Sequence, residues 1–310
     1  MKYYSNGKIL LTAEYMVLFG ATALAMPVRF GQSLEVNAFP GEEELEWESD
    51  ENGEPWFRAT FHTRTLDVLS ATDGDVAARL RDHLLGAREL NPSFLTGNGG
   101  YLVRTEIQFN RFWGLGTSSS LLSNIAWWAG VDPYELHRRV SRGSGFDIAC
   151  ARSNTPLLYS VTGGKPRVVP TSFCPPFKDN IYFVYLGKKQ NSEDSVREFL
   201  RKHPPREETV NKISDLTHRI HTAGDLGEFD RLIGQHESIL SGLSGVPSVR
   251  ESLLADFPGG VKSLGAWGGD FIMVTWDGPF SRLQEFLREH GLETIILFRE
   301  MILRPEMARP

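Results

Sequence analysis

Apolar and polar positions change period along this chain, and each change marks an element. Residues 7–12 and 32–38 read as strands, and YLVRTEIQF (101–109) alternates as one. Between them, EEELEWESDENGEPWFRATFH reads as an acidic hairpin turning at Asn52-Gly53, a dipeptide suited to the left-handed backbone of a tight turn. Its acidic positions belong to a solvated face. In DVAARLRDHLLGAREL, Val76, Leu80, Leu84 and Ala87 recur at helical spacing, so residues 75–90 predict a helix that Asn91-Pro92 stops. Residues 118–129 are so apolar, with Trp127 and Trp128 included, that this helix is expected at the centre of the core. Asp132-Pro133 is a good start signal for a short helix through YELHRRVSR, ending at Gly143, and another helix is expected to begin at Asp147.

The two adjacent prolines of TSFCPPFKDN mark the expected domain boundary, dividing the chain into 1–175 and 176–310. Beyond it IYFVYLG predicts a strand, 192–203 and 206–223 predict helices, and 226–256 is largely helical. VKSLGAWGGDFIMVTW returns as loop and strand, followed by a helix over 280–290 and a last strand, ETIILFR.

Composition narrows the function classes. The chain has 310 residues, 41% hydrophobic and 23% charged, enough for a sizeable core in one large domain or two. A net charge of −6 argues against a nucleic-acid partner, because affinity for a phosphate backbone needs a basic surface. An anionic ligand would therefore need local positive charge. Cys150 and Cys174 form no ligand-spaced cluster and no disulfide framework; both are expected to be buried apolar fillers in a reducing, cytoplasmic setting. Residues 1–28 imitate a secretory signal superficially, but Glu14 interrupts the apolar stretch ILLTAEYMVLFG, and no other run reaches membrane-spanning length without charges. No membrane partner is expected.

The stretch RFWGLGTSSS (111–120) puts two glycines and four hydroxyl residues at the mouth of a helix. One hydroxyl would suffice for an N-cap. The other reading is an anion cradle, in which glycines let the backbone approach a phosphate while the helix N-terminus supplies aligned N–H groups. Both readings are open at this level. No GxxxxGK[ST] segment occurs, so the loop is not of the P-loop type.

Three separated segments, SNGKILLTAEYMVLFGATALAMP, RFWGLGTSSSLLSNIA and VKSLGAWGGDFIMV, with GSGFD between the second and third, resemble the signature motifs of the GHMP kinases. The resemblance spans the chain from end to end. It implies an α+β fold, with an N-terminal ribosomal-protein-S5-like domain that binds ATP and a C-terminal ferredoxin-like domain. It also implies that Gly114, Leu115, Gly116, Thr117, Ser118 and Ser119 wrap the phosphates of ATP, with the Ser118 hydroxyl in the Mg²⁺ environment. Lys8 and Asp147 match the family's lysine and aspartate beside the acceptor oxygen, where an ammonium would keep the carboxylate ionised to accept or orient a proton.

Contacts to a small anionic substrate would involve Glu14, Ser144, Gly145, Lys188, Lys189, Gly268 and Gly269, although Glu14 suits a structural role equally. Arg111 and Lys262 are further candidate cations, each of which alone reads as a solvated surface charge. His236 reads as a packed or hydrogen-bonded helix residue rather than a metal ligand. AEYMVL, GSGFD and Gly268-Gly269-Asp270 are similar to phosphomevalonate kinases, and GFDIA equally to a branch with a GYDIA-type segment and unassigned substrates. The chain departs from the pattern at three places: Glu135 is one position out of register with the Mg²⁺-binding glutamate of mevalonate kinase, Trp267 stands at a usual glycine, and Thr117 replaces a serine. The first two keep a second reading open, a ligand-binding sensor or regulator on the same fold. The resemblance allows a homodimer.

Overall fold

The computed structural model describes residues 1–41, 43–97, 99–188, 199, 205–265 and 270–303. Lys189, Trp267, Gly268, Gly269 and all but Phe199 of the expected helix 192–203 lie outside the described residues. The chain forms two compact units that interleave in sequence: Met1–Gly7, Phe30–Arg111 and Gly116–Arg152 make one, and Lys8–Arg29, Phe112–Leu115 and Ser153–Pro310 make the other.

The first unit is a sheet covered by helices. In chain order its elements are β1 (Lys2–Leu10), β2 (Ala23–Phe39), β3 (Glu44–Glu51), β4 (Glu54–His62), β5 (Val68–Ala71), α1 (Gly74–Leu90), β6 (Gly100–Ile107), α2 (Thr117–Ala129), α3 (Pro133–Val140) and α4 (Phe146–Ala151), with the last residues of β1, from Lys8, and the first of β2, to Arg29, belonging to the second unit. The strands run β5-β4-β3-β6-β2, and only β3 and β6 are parallel. Asn52 (φ 51°) and Gly53 (φ 84°) both take the left-handed backbone at the β3–β4 turn, as NG predicts. Along β3, Leu45, Trp47 and Ser49 are buried while Glu44, Glu46 and Glu48 are not, so the acidic positions do form the outer face.

Trp47, Phe57 and Phe61 of this sheet pack with Leu80 and Leu84 of α1 and Leu122 and Ile125 of α2. Asp73 and Asp132 start α1 and α3 by accepting the N–H groups of their first turns. One expectation fails in α2. Trp127 is 51% exposed and Arg152 lies over its ring at 4.8 Å, so this tryptophan covers a cation instead of filling the core.

In the second unit the N-terminal residues of β2, Ala23–Ala25, pair with β7 (Leu157–Thr162), which turns at Gly163 (φ 57°) and Gly164 (φ 74°) into β8 (Lys165–Pro170). A second sheet follows, made of β9 (Ile181–Tyr185), β10 (Val261–Ser263), β11 (Phe271–Thr275) and β12 (Ile295–Leu297), in the order β10-β11-β9-β12 with every pair antiparallel. The helices α5 (Glu207–Thr222) and α6 (Leu226–Ser244) connect β9 to β10, and α7 (Phe280–Glu289) connects β11 to β12. That connectivity and strand order are the ferredoxin-like arrangement. Val184, Ile272, Val274, Leu283 and Leu287 form its apolar layer.

Helix α6 stops at Gly245 (φ 69°) and a short helix over Val249–Ser252 follows, so 226–256 is largely helical as expected. Cys174 is exposed, contrary to its reading as a buried filler, while Cys150 is buried. Among the described residues no helix is long and apolar enough to cross a membrane.

Candidate active site

Helix α2, like α4, begins at a left-handed glycine with no side-chain cap. Gly116 (φ 93°) is its N-cap, and none of its first-turn hydroxyls caps it. By contrast Asp73, Asp132 and Asp225 cap α1, α3 and α6 with their side chains. The α2 hydroxyls turn elsewhere. Ser119 Oγ donates to Gly116 O at 3.0 Å, Ser120 Oγ donates to Gln32 Oε1 at 2.9 Å, and Thr117 Oγ1 is buried without a partner among the described residues. Ser118 is exposed. The first-turn N–H groups therefore meet no capping side chain, which leaves their partial positive charge for a ligand.

A buried polar ladder holds this helix mouth in place. Asn124 donates from Nδ2 to Gln32 O at 2.9 Å and accepts at Oδ1 from Ser5 Oγ at 2.8 Å. Ser5, Gln32, Ser120 and Asn124 are at most 2% exposed, and each makes at least one of these bonds. Sequence reasoning missed Ser5, Gln32 and Asn124. The only available signal was that an apolar helix carried an asparagine at all.

The preceding part of the glycine loop belongs to the second unit, and Lys8 fastens it. The Lys8 backbone N–H donates to Leu115 O and its Nζ to Gly114 O, both at 2.8 Å. Asp147 lies in the first turn of α4, where Gly145 (φ 83°) is the N-cap, so Asp147 is not the capping residue. Its Oδ1 accepts the N–H of Ile148 at 3.1 Å, and α4 packs against α2. Nearby, burial pushes the Tyr134 phenol up to about 12, with the charges of Cys150, Asp132 and Asp147 acting in the same direction. Ser144 and Gly145 precede Asp147 on the same helix mouth. Lys8 and Asp147 fall in different units.

Glu14 sits in a buried charge cluster. Lys262 Nζ donates to Glu14 Oε1 and lies 2.9 Å from Glu237 Oε1, while His236 Nε2 accepts the N–H of Ala13 at 2.9 Å. All four side chains are at most 6% exposed. Burial pushes the Glu14 carboxyl up to about 7 against the pull of Lys262, and the Glu237 charge adds to the rise. Burial would lower the Lys262 ammonium, but its two carboxylates overcome that and hold it above its usual value. Burial holds His236 well below its usual value, which fits a neutral ring accepting a backbone N–H. Ala13 (φ 62°) and Tyr15 (φ 60°) flank Glu14 in the left-handed region, a strained turn that this cluster holds. Lys262 is thus no surface cation, and His236 hydrogen-bonds in a helix as expected.

Arg111 pairs with Glu51 and lies over Trp56 at 4.9 Å. Lys188 is placed by its carbonyl, which accepts the Asp270 N–H at 2.7 Å. Among the described residues no three His, Cys, Asp or Glu side chains form a group that could hold a metal, and Glu135 is exposed and paired with Arg138. The exposed Ser118 hydroxyl at the helix mouth still fits Mg²⁺, which is commonly held by few protein groups together with substrate phosphates.

No family model matches the chain, and no curated protein matches its sequence. Solved structures do. The chain is similar to Streptococcus pneumoniae phosphomevalonate kinase in complex with phosphomevalonate and AMPPNP, with a TM-score of 0.69 and 15% identity over 96% of this chain and 99% of that one. It is similar to Methanococcus jannaschii mevalonate kinase, with a TM-score of 0.68 and 15% identity over 96% of both chains. Lactococcus lactis galactokinase complexed with galactose matches with a TM-score of 0.64 and 13% identity over 97% of this chain and 93% of that one. The chain has the GHMP kinase fold. At this level of identity the likeness establishes the shared fold, and the expected α+β class is the observed one. Within the GHMP kinase fold, the uncapped mouth of α2 and the glycine loop tied by Lys8 belong to two of the three segments that carry the resemblance.

Proposed function

We propose that this protein transfers the γ-phosphoryl group of ATP to a small anionic acceptor, phosphomevalonate in preference to mevalonate. The observation that carries the reading is the mouth of α2: a left-handed glycine N-cap, hydroxyls turned away from the cap positions, and free first-turn N–H groups. Fixed donors of this kind stabilise the charge of a nucleotide's phosphates without reorganising. A phosphomevalonate kinase of the same fold is described with AMPPNP, which supports ATP as the donor. Bound Mg²⁺ would neutralise phosphate charge, with Ser118 as a protein ligand.

In this reading Gly114–Ser119 hold the phosphates, Lys8 and Asp147 serve the acceptor oxygen, and Ser144, Gly145, Lys188, Lys189, Gly268 and Gly269 face the acceptor. Glu14 acts by holding the turn of the first motif, since both of its neighbours are strained and its carboxylate is buried. The division into an N-terminal ATP-binding domain up to 175 and a C-terminal GHMP kinase domain from 176, and a cytoplasmic location, belong to the same proposal. Phosphomevalonate is favoured because AEYMVL, GSGFD and the segment at Gly268-Gly269-Asp270 all resemble that branch. Side-by-side kcat/KM values for phosphomevalonate and mevalonate test the choice. A preference for mevalonate would reverse the acceptor while leaving the transfer chemistry in place.

A further inference from the structure

Asp270 stands at the end of β11 in a conformation that few residue types adopt, with φ 54°. Two backbone hydrogen bonds fix it there: its N–H donates to Lys188 O at 2.7 Å, and its carbonyl accepts from Leu186 N–H at 2.8 Å. The side chain is 8% exposed. It lies directly against Gly114, where a Cβ would come within 2.8 Å of Asp270 Cβ and closer still to its carboxylate. Gly114 therefore has two reasons to be glycine, its φ of 66° and the carboxylate that fills the space of a side chain.

The rest of the segment Phe112–Leu115 is seated on the same two strands. Trp113 meets Phe271 edge-on at 5.6 Å, and Tyr185 Oη donates to Phe112 O at 3.4 Å. Lys8 Nζ also holds Gly114 O. One residue of the glycine loop is thus gripped from the first motif by a lysine and from the third by an aspartate.

We propose that Asp270 is a positioning residue for nucleotide binding, acting by shape through Gly114 to set the path of the phosphate loop and to tie that path to the Lys188 segment. The inference rests on the reading of residues 114–119 as a phosphate loop. Asp270 fills the space that a Cβ on Gly114 would take, so the proposed effect runs through its volume and its left-handed backbone. Asparagine reproduces both; glycine keeps the backbone and removes the contact.

The test is a calorimetric titration with MgAMPPNP of the whole chain and of Gly114→Ala, Asp270→Gly, the double variant and Asp270→Asn, with a thermal melt of each to show that it is folded. Gly114→Ala is expected to weaken binding about tenfold or more, and Asp270→Gly less. In the double variant the extra penalty of the alanine should shrink by about fivefold or more, the non-additivity of residues in contact. The backbone cost of alanine at positive φ is common to both backgrounds and cancels. Asp270→Asn should bind within about twofold of the parent. Additive penalties, or an Asp270→Asn variant as impaired as Asp270→Gly, would overturn the proposal. A parent chain that fails to bind MgAMPPNP would overturn the kinase reading and this inference with it, whereas binding with additive penalties overturns the inference alone.

Discussion

Lys262 carries an ammonium into the interior between Glu14 and Glu237, beside a neutral His236. At the residue scale this cluster predicts a pH dependence. The Glu14 carboxyl rises from an ordinary 4.5 to about 7 on folding, so over that window the folded state holds a proton that the unfolded chain releases. The stability associated with Glu14 is therefore highest below pH 4.5, falls as pH rises towards 7, and is level above. His236, held well below its usual value, and Lys262, held above its own, are common to the parent and Glu14→Gln, so the comparison of the two reads Glu14. Denaturant titrations of the parent and Glu14→Gln across pH 4.5 to 7 should show the parent losing stability relative to the variant as pH rises. A relative gain would contradict the assignment. Asp147 makes the other prediction at this scale. Asp147→Asn keeps the shape and removes the charge, so kcat should fall by roughly two to four orders of magnitude while MgAMPPNP affinity survives. Near-normal turnover would remove Asp147 from the mechanism. Single residues were legible unevenly in the sequence: His236 read as a hydrogen-bonded helix residue and is one, whereas Lys262 read as a surface cation because its two carboxylate partners lie 248 and 25 positions away.

At the scale of elements, the mouth of α2 depends on a glycine at 116 and on hydroxyls that face away from the cap. Valine at 116 faces a φ of 93° that β-branched residues avoid, and in the proposed reading it would intrude on the phosphates, so Gly116→Val should lose most MgAMPPNP affinity in calorimetry. Ser118→Ala should leave affinity closer to the parent and lower kcat and the response to Mg²⁺. Unchanged affinity in Gly116→Val would make the loop structural only. The elements with local signals were read well. The Asn52-Gly53 hairpin and the Asp132-Pro133 helix start are set by a few adjacent residues. The β7–β8 hairpin was missed although Gly163-Gly164 marked its turn, because LLYSVT and KPRVVP alternate only weakly and β8 is largely exposed. The exposure of Trp127 was not visible in helical periodicity, since its partner Arg152 lies 25 residues on.

For the whole molecule, the fold was legible because three short motifs in a fixed order carried it, while overall identity to solved relatives is only 12–16%. The interleaving of the two units was not, because β1 and β2 each pass from one unit to the other, and no local signal marks such a crossing. Lys188 makes the prediction that concerns the acceptor. If phosphomevalonate is bound, its phosphate has a second pKa of about 6 and needs positive charge, so Lys188→Ala should raise the acceptor KM and added salt should shrink the effect. An unchanged KM would take Lys188 out of the acceptor site. The central claim is phosphoryl transfer itself, and a coupled ADP-release assay tests it most directly, using MgATP with phosphomevalonate, mevalonate, homoserine and simple sugars. The account predicts ADP release that depends on an anionic acceptor, is fastest with phosphomevalonate, and is lost in Asp147→Asn. Tight MgAMPPNP binding with no ADP release for any acceptor would contradict it and point to a ligand sensor built on the same fold.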